Sequence, residues 1–208
     1  MKKEMFWVLV AALLAVLMVS PSASQINFDV NSTGDGADSN PGDGVCNDGT
    51  GTCTLRAAIE EANALPGKNR IGFNIPGALG TVHIIQPTTA LPRILDPVII
   101  NGYTQPGASP GALPILLIVV DGGALPSAAG LQIDGGNSVV KGLAINNFAN
   151  GTAVIINSDR NVVQGNYIGM DVTSTISQPN SVGISIFAAN NRIGGNTLNA
   201  RNILSGND

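Results

Sequence analysis

The side chains of this chain that could do chemistry are few and mostly acidic. Asp29, Asn31, Asp35, Asp38 and Asp43 fall in a Gly-rich run that carries no basic residue before Arg56. Calcium takes roughly six to eight oxygen ligands, and such a run could supply carboxylates and carbonyls to a structural calcium ion. Asp29-Val-Asn31-Ser-Thr33-Gly34 has the spacing of the first half of an EF-hand loop, but the twelfth position is Asn40 where the bidentate Glu would stand. The competing reading is a solvated acidic loop, and the sequence requires no cofactor. Cys46 and Cys53, close together, are expected to bond to each other.

Cleavage of a polysaccharide needs clustered groups: two carboxylates for acid and base work, or calcium-bound aspartates with a basic residue. In parallel strands, equivalent positions of neighbours lie about 4.8 Å apart, so such a cluster must appear in register. Asp134 aligns with Asn157 and Phe187, Asp159 with Gly136 and Ala189, and Arg160 with Asn137 and Asn190. No carboxylate pair results, and no catalytic residue is expected. Asp134 and Asp159 are at best diagonal neighbours, and scattered charges of this kind are normally solvated surface. The polar positions Gln132, Asp134, Asn157 and Asp159 are instead predicted to form a binding face. His83, the only histidine, sits among apolar residues and reads as structural. Tyr167 and Phe148 read as cover for a coil edge.

Those alignments rest on a repeat. Leu131/Val154, Ile133/Ile156, Val140/Val163, Gly142/Gly165 and Ile145/Ile168 are each 23 residues apart, and Val154/Ile184, Ile156/Ile186, Val163/Ile193 and Gly165/Gly195 continue at a spacing of 30. The additional residues fall around 171–180. Short β-branched runs punctuated by Gly and Asn at this period predict a solenoid with one coil per repeat. Asn at the corners suits tight bends through left-handed backbone and side-chain hydrogen bonds. Less regular strands are predicted over 71–75, 82–85, 94–101 and 115–120. The segment from Ile26 to Thr52 reads as a loop unable to form a core. One helix is predicted, Leu55 to Ala64, with Thr54 as N-cap and Leu55, Ala58, Ile59 and Ala62 on one face. Arg56 and Glu60 are spaced for a surface pair. An amphipathic helix here would cover the open end of the first coil.

Lys2 and Lys3 precede an apolar stretch from Met5 to Val19 and then Ser22-Ala23-Ser24. That stretch is shorter than the roughly 20 residues a bilayer span needs, so 1–24 is predicted to be an export signal cleaved before Gln25. A formal net charge of −4 is the wrong sign for a general nucleic-acid binder. The expected organisation is therefore a signal over 1–24, an acidic disulfide loop and capping helix over 25–67, and coils over 68–208, with Asn202 to Asp208 falling within a further coil that the chain leaves uncapped.

Cys53-Thr-Leu-Arg-Ala-Ala-Ile59, followed by Glu-Glu-Ala-Asn63 and preceded by Cys46 and the Asp-Gly run, resembles the CSLREAI-type N-terminal domain of exported bacterial proteins. Ile100-Asn-Gly-Tyr-Thr-Gln-Pro-Gly107, Gly165-Asn-Tyr-Ile-Gly169, Ile193-Gly-Gly195 and Arg201-Asn-Ile-Leu-Ser-Gly-Asn207 look like the right-handed parallel β-helix repeats that follow it. Ala57 departs from the pattern, which commonly has Glu there. The resemblance implies a pectin-lyase-like fold on a secreted or cell-surface protein, and no single reaction. The expected fold is all-β: a right-handed parallel β-helix with a short N-terminal capping α-helix. The expected function is a non-catalytic exported surface module, adhesive or glycan-binding, whose partner is an extracellular glycan or surface polymer, with no nucleic acid and no membrane span in the mature chain. The alternative is the N-terminal part of a polysaccharide lyase or glycoside hydrolase whose active face lies beyond Asp208.

Overall fold

The computed structural model describes residues 25–125 and 127–208; the export segment over 1–24 and its cleavage site lie outside the described residues. Within them the protein is all-β with parallel sheets and one α-helix, and no helix is long and apolar enough to cross a membrane. After β1 (Asn27–Val30) and α1 (Leu55–Ala64) the strands follow a fixed rotation. β2 (Asn69–Phe73) and β3 (His83–Ile85) come first, then β4 (Val98–Asn101), β5 (Ile118–Asp121) and β6 (Leu131–Ile133). The next round is β7 (Val139–Lys141), β8 (Leu143–Asn146) and β9 (Thr152–Ile156), followed by β10 (Val162–Gln164), β11 (Tyr167–Ile168) and β12 (Val182–Ile186). The series ends with β13 (Arg192–Ile193) and β14 (Ile203–Leu204). The first sheet runs β1-β2-β4-β7-β10-β13, the second β3-β5-β8-β11-β14 and the third β6-β9-β12. The three rounds from β4 to β12 each add one strand to each sheet, whereas β2–β3 and β13–β14 add to the first two sheets alone.

The register is the one that the spacing of 23 demands. Val139 pairs with Val162, Leu131 with Val154 and Ile133 with Ile156. Side chains alternate across each strand, so one column of the first sheet points inward through Phe28, Ile71, Ile100, Val140, Val163 and Ile193. The second sheet faces it with Ile85, Val120, Ile145 and Ile168, and the third with Ile94, Ile133 and Ile156. These side chains form one apolar core, each contributing roughly 1.5–3 kcal/mol by leaving water.

The corners divide the work expected of asparagine between two kinds of position. Asn137, Arg160 and Asn190 stack as a left-handed column with φ of 60°, 63° and 58°. Other asparagines, buried or half-buried, bond the backbone of the neighbouring round of strands. Asn166 Oδ1 accepts from the Leu143 N–H at 3.1 Å while its Nδ2 donates to the Val140 carbonyl at 3.0 Å. Asn202 repeats the bond one round on, accepting from Asn166 N. Asn161 and Asn191 form a second ladder, with Asn161 accepting from Ser138 N and Asn191 from Asn161 N. Asn180 does the same for Phe148 N. A buried amide that satisfies one donor and one acceptor removes a desolvation cost of about 1–3 kcal/mol.

The N-terminal segment differs from expectation in two respects. Residues 27–30 are a strand, not loop: β1 pairs in parallel with β2 and buries Phe28 and Val30, so the core is continuous across residues 67 and 68. The expected Arg56–Glu60 pair does not form. Arg56 is buried, bonds Asp35 at 2.9 Å, and donates to the Thr89 and Ala90 carbonyls. Glu60 accepts instead from Asp38 N at 2.6 Å. The cause is that the acidic loop wraps the side of α1 the pattern leaves polar. Glu61 on that side is fully buried, and its two oxygens accept from Gly42 N and Gly44 N, each at 2.5 Å. The α1 bounds, its Thr54 cap and its buried Leu55, Ala58, Ile59 and Ala62 are as the spacing predicts. Asn63 pairs with the backbone of the next segment, donating to Arg93 O and accepting from Leu95 N.

Candidate functional site

Because Phe28, Ile71, Ile100, Val140 and Val163 point inward, their strand neighbours on the first sheet point outward in two columns. One column reads Asn27, Arg70, Ile99, Val139, Val162, Arg192; the other reads Asp29, Gly72, Asn101, Lys141, Gln164. A wall rises beside the second column because the chain turns sharply after β4. Asn101 caps the 3-10 turn Gly102–Thr104, its Oδ1 accepting from Tyr103 N, and Tyr103 Oη then donates to Gly165 O at 2.7 Å. Gly102 is required there, since a Cβ would lie 2.0 Å from Gly142 O.

Between this wall and the sheet lies a cleft of about 340 Å³ lined by Asn101, Tyr103, Pro110, Lys141, Gln164 and Asn199. A second depression of about 230 Å³, lined by Asn27, Asp29, Arg70 and Thr104, lies on the same face. Burial, with the nearby Tyr167, pushes the Tyr103 phenol up to about 12, so it remains a neutral donor at physiological pH. Among the described residues, neither Lys141 nor Arg70 has an ion-pair partner. Arg192 rests on Gln164 Oε1 at 3.3 Å.

The predicted binding face lies on the third sheet and beyond its strand ends, and its polar groups are largely taken. Asp134 accepts from Asn157 Nδ2 at 2.8 Å and from Gln132 Nε2 at 3.4 Å, and its other oxygen pairs with Arg93. Asp159 stands apart from this cluster and accepts from Ala189 N at 2.9 Å. The alignment of Asp134 with Asn157 is correct, and it makes a tie between the ends of β6 and β9. Arg93 belongs to an irregular segment before β4, so no period points to it.

The structure does not gather Asp29, Asn31, Asp35, Asp38 and Asp43 around one point. Asp35 holds Arg56 and Thr88; Asp38 accepts from Asn40 N and Asn47 N; Asp43 accepts from Val45 N. Asn31 accepts from Cys53 N, while Asp29 faces out from β1. Short Asx turns hold Asp38 and Asp43, while Asn31 and Asp35 are tied to residues far along the chain. Among the described residues no group of three or more His, Cys, Asp or Glu is placed to hold a metal. Cys46 and Cys53 form a disulfide. Nearby, Thr50 and Thr52 hydroxyls donate to Asp48 and lower its carboxyl to about 2.

His83 is buried, with Nε2 3.1 Å from Gln105 Nε2, and burial lowers its pKa. Gln105 also bonds both backbone groups of Ile75. Phe148 lies within the core and Tyr167 in an outer cluster with Leu116, Val119 and Ala144. The chain matches no family model and no curated protein.

Proposed function

We propose that the three sheets are the faces of a right-handed parallel β-helix covered at its N-terminal end by α1, and that this is a non-catalytic exported surface module, adhesive or glycan-binding. The rotation of strands through three parallel sheets supports the architecture, and so does the resemblance to CSLREAI-type proteins. The disulfide suits an oxidising compartment. The observation that carries the function is the long outer face of the first sheet. There, side chains from successive coils stand in register beside a cleft of about 340 Å³, which is the geometry an extended polymer needs. The groups on that face are amides, cations and the single carboxylate of Asp29, whereas glycoside hydrolysis uses a carboxylate pair.

The test is retention of the protein on a panel of plant and algal glycans, with reducing-end and unsaturated-product assays run alongside. Binding without turnover is expected. Turnover abolished by Asp29→Asn or Asp134→Ala would replace this reading with the lyase or hydrolase one.

A further inference from the structure

We infer that the outer face of the first sheet is a groove for an extended polyanionic glycan, held by Arg70, Lys141 and Arg192. The inference rests on the glycan-binding reading above and names the ligand class and the residues. It begins from charge. The whole chain carries 14 acidic and 10 basic residues, yet the two outward columns of this sheet hold three cations and one carboxylate, Asp29. A basic strip on an acidic protein is a local reversal of field, and it selects anions.

Spacing adds to this. Lys141 on β7 is two strands from Arg70 on β2 and two from Arg192 on β13, in the order β2-β4-β7-β10-β13. At about 4.8 Å per strand the three cations span roughly 19 Å along the stack. Arg70 and Arg192 stand in one outward column and Lys141, midway between them along the stack, in the other. The three are thus staggered along the face rather than gathered at one point, an arrangement suited to a chain with repeated charges and less to a small anion. Lys141 and Arg70 are half-buried and have no ion-pair partner among the described residues, whereas Arg56 and Arg93 each hold a carboxylate. Partly desolvated, unpaired cations favour binding an external anion more than fully hydrated ones do.

The surface between the cations favours a sugar over other polyanions. Ile99, Val139 and Val162 stand in register as a half-buried aliphatic strip. Beside them run Asn101, Lys141 and Gln164. Pyranose rings present C–H faces to an aliphatic strip and hydroxyls to amides. Stacked nucleobases call for aromatic platforms, and neither column contains an aromatic residue.

The experiment measures retention of the full chain on immobilised alginate (carboxylated), carrageenan (sulfated), dextran (neutral) and single-stranded DNA. Retention on alginate or carrageenan is expected, falling as salt rises to about 0.5 M, and the stronger of the two arms identifies the charged group. Lys141→Ala should weaken it about tenfold, and Arg70→Ala with Arg192→Ala further, with Lys141→Arg restoring most of it and Gln86→Ala, exposed beyond β3 of the second sheet, leaving it unchanged. Circular dichroism of each variant separates lost binding from lost fold. Undiminished binding by a folded triple variant would overturn the inference. So would stronger retention on DNA, or dextran binding equal to that of the charged glycans; the latter leaves the glycan-binding module intact. Retention on none of the four overturns the inference and the reading beneath it.

Discussion

The segment over 26–67 and the strands over 130–208 solve the same problem with different materials. Over 130–208 the N–H groups of Ser138, Leu143, Asn161 and Asn166 each meet a side-chain amide from the next round of strands, so a neutral side chain such as Asn166 or Asn161 bridges two rounds and the bond is repeated. The N-terminal segment has no repeating neighbour of this kind. Its backbone is held by charge and covalent bonds: Glu61 on two glycine N–H groups, Arg56 between Asp35 and two carbonyls, and the Cys46–Cys53 disulfide. Equivalent neighbours let weak neutral ties be used many times, whereas a segment without them uses strong ones once.

The largest effect is expected where the end meets the core. Ile59 is buried on α1 against the common cluster, and Ile59→Asp places an unpaired charge there at a cost of about 4 kcal/mol or more. Gln132→Ala, at an outward position of β6 where only a long bond to Asp134 is lost, should stay within about 0.5 kcal/mol. Thermal unfolding and light scattering of the two variants make the contrast, and equal behaviour would show that α1 is peripheral.

Next comes a direct comparison of the two kinds of tie. Glu61→Ala removes two charge-assisted bonds and should cost about 3 kcal/mol, whereas Asn166→Ala should cost about 2 kcal/mol. Their locality should differ too. By hydrogen exchange, Glu61→Ala is expected to expose the amides of 38–52, while Asn166→Ala loosens β7, β8 and β10 together. Spreading of the Glu61 effect into β9 and β12 would remove the distinction.

The smallest effect is electrostatic. Asp48 is held at about 2 by Thr50 and Thr52, below its ordinary value. Its contribution is therefore fully present above the unfolded carboxyl value near 3.8 and is lost as pH falls through about 2. Carboxyl carbon titration by NMR should give a midpoint near 2 for Asp48, moving up in Thr50→Val and Thr52→Val. Asp171 offers a control within the coils. Burial would raise it, yet the Thr173 hydroxyl and the Ile176, Thr175 and Thr173 backbone outweigh that and lower it. Two unshifted carboxylates would mean that hydroxyls do not organise these loops.

What the sequence discloses follows the same division. Where a pattern recurs, as in Ile133/Ile156 or Asn137/Arg160/Asn190, spacing alone gives the register, because ladder bonds force equivalent residues into contact, whereas the left-handed backbone that Arg160 shares with the two asparagines shows only in the structure. The α1 face was legible from its helical period. β1 was not: Asn27–Val30 is four residues beside a Gly- and Asp-rich run, and only its pairing with β2 makes it a strand. Arg56 was placed on the surface because its partner Asp35 is 21 residues away in a segment with no period. The cationic strip escaped for the same reason. Arg70, Lys141 and Arg192 come from segments of unequal length, and only the strand order of the first sheet brings them onto one face.

The hairpin between β11 and β12 has a wider meaning. Met170 bridges Ser177, and Asp171 closes the turn through Thr175 and Ile176, so the added residues leave and return at one corner. On either side the ladders are undisturbed, with Ile168 still on Ile145 and Val182 on Thr152. Register and loop length are thus independent: the pairing of adjacent strands is set by backbone ladders, while the connection between β11 and β12 can grow outward. Length changes will be tolerated at such corners, which makes this flank a natural graft point where a foreign peptide could be displayed without renegotiating the interior.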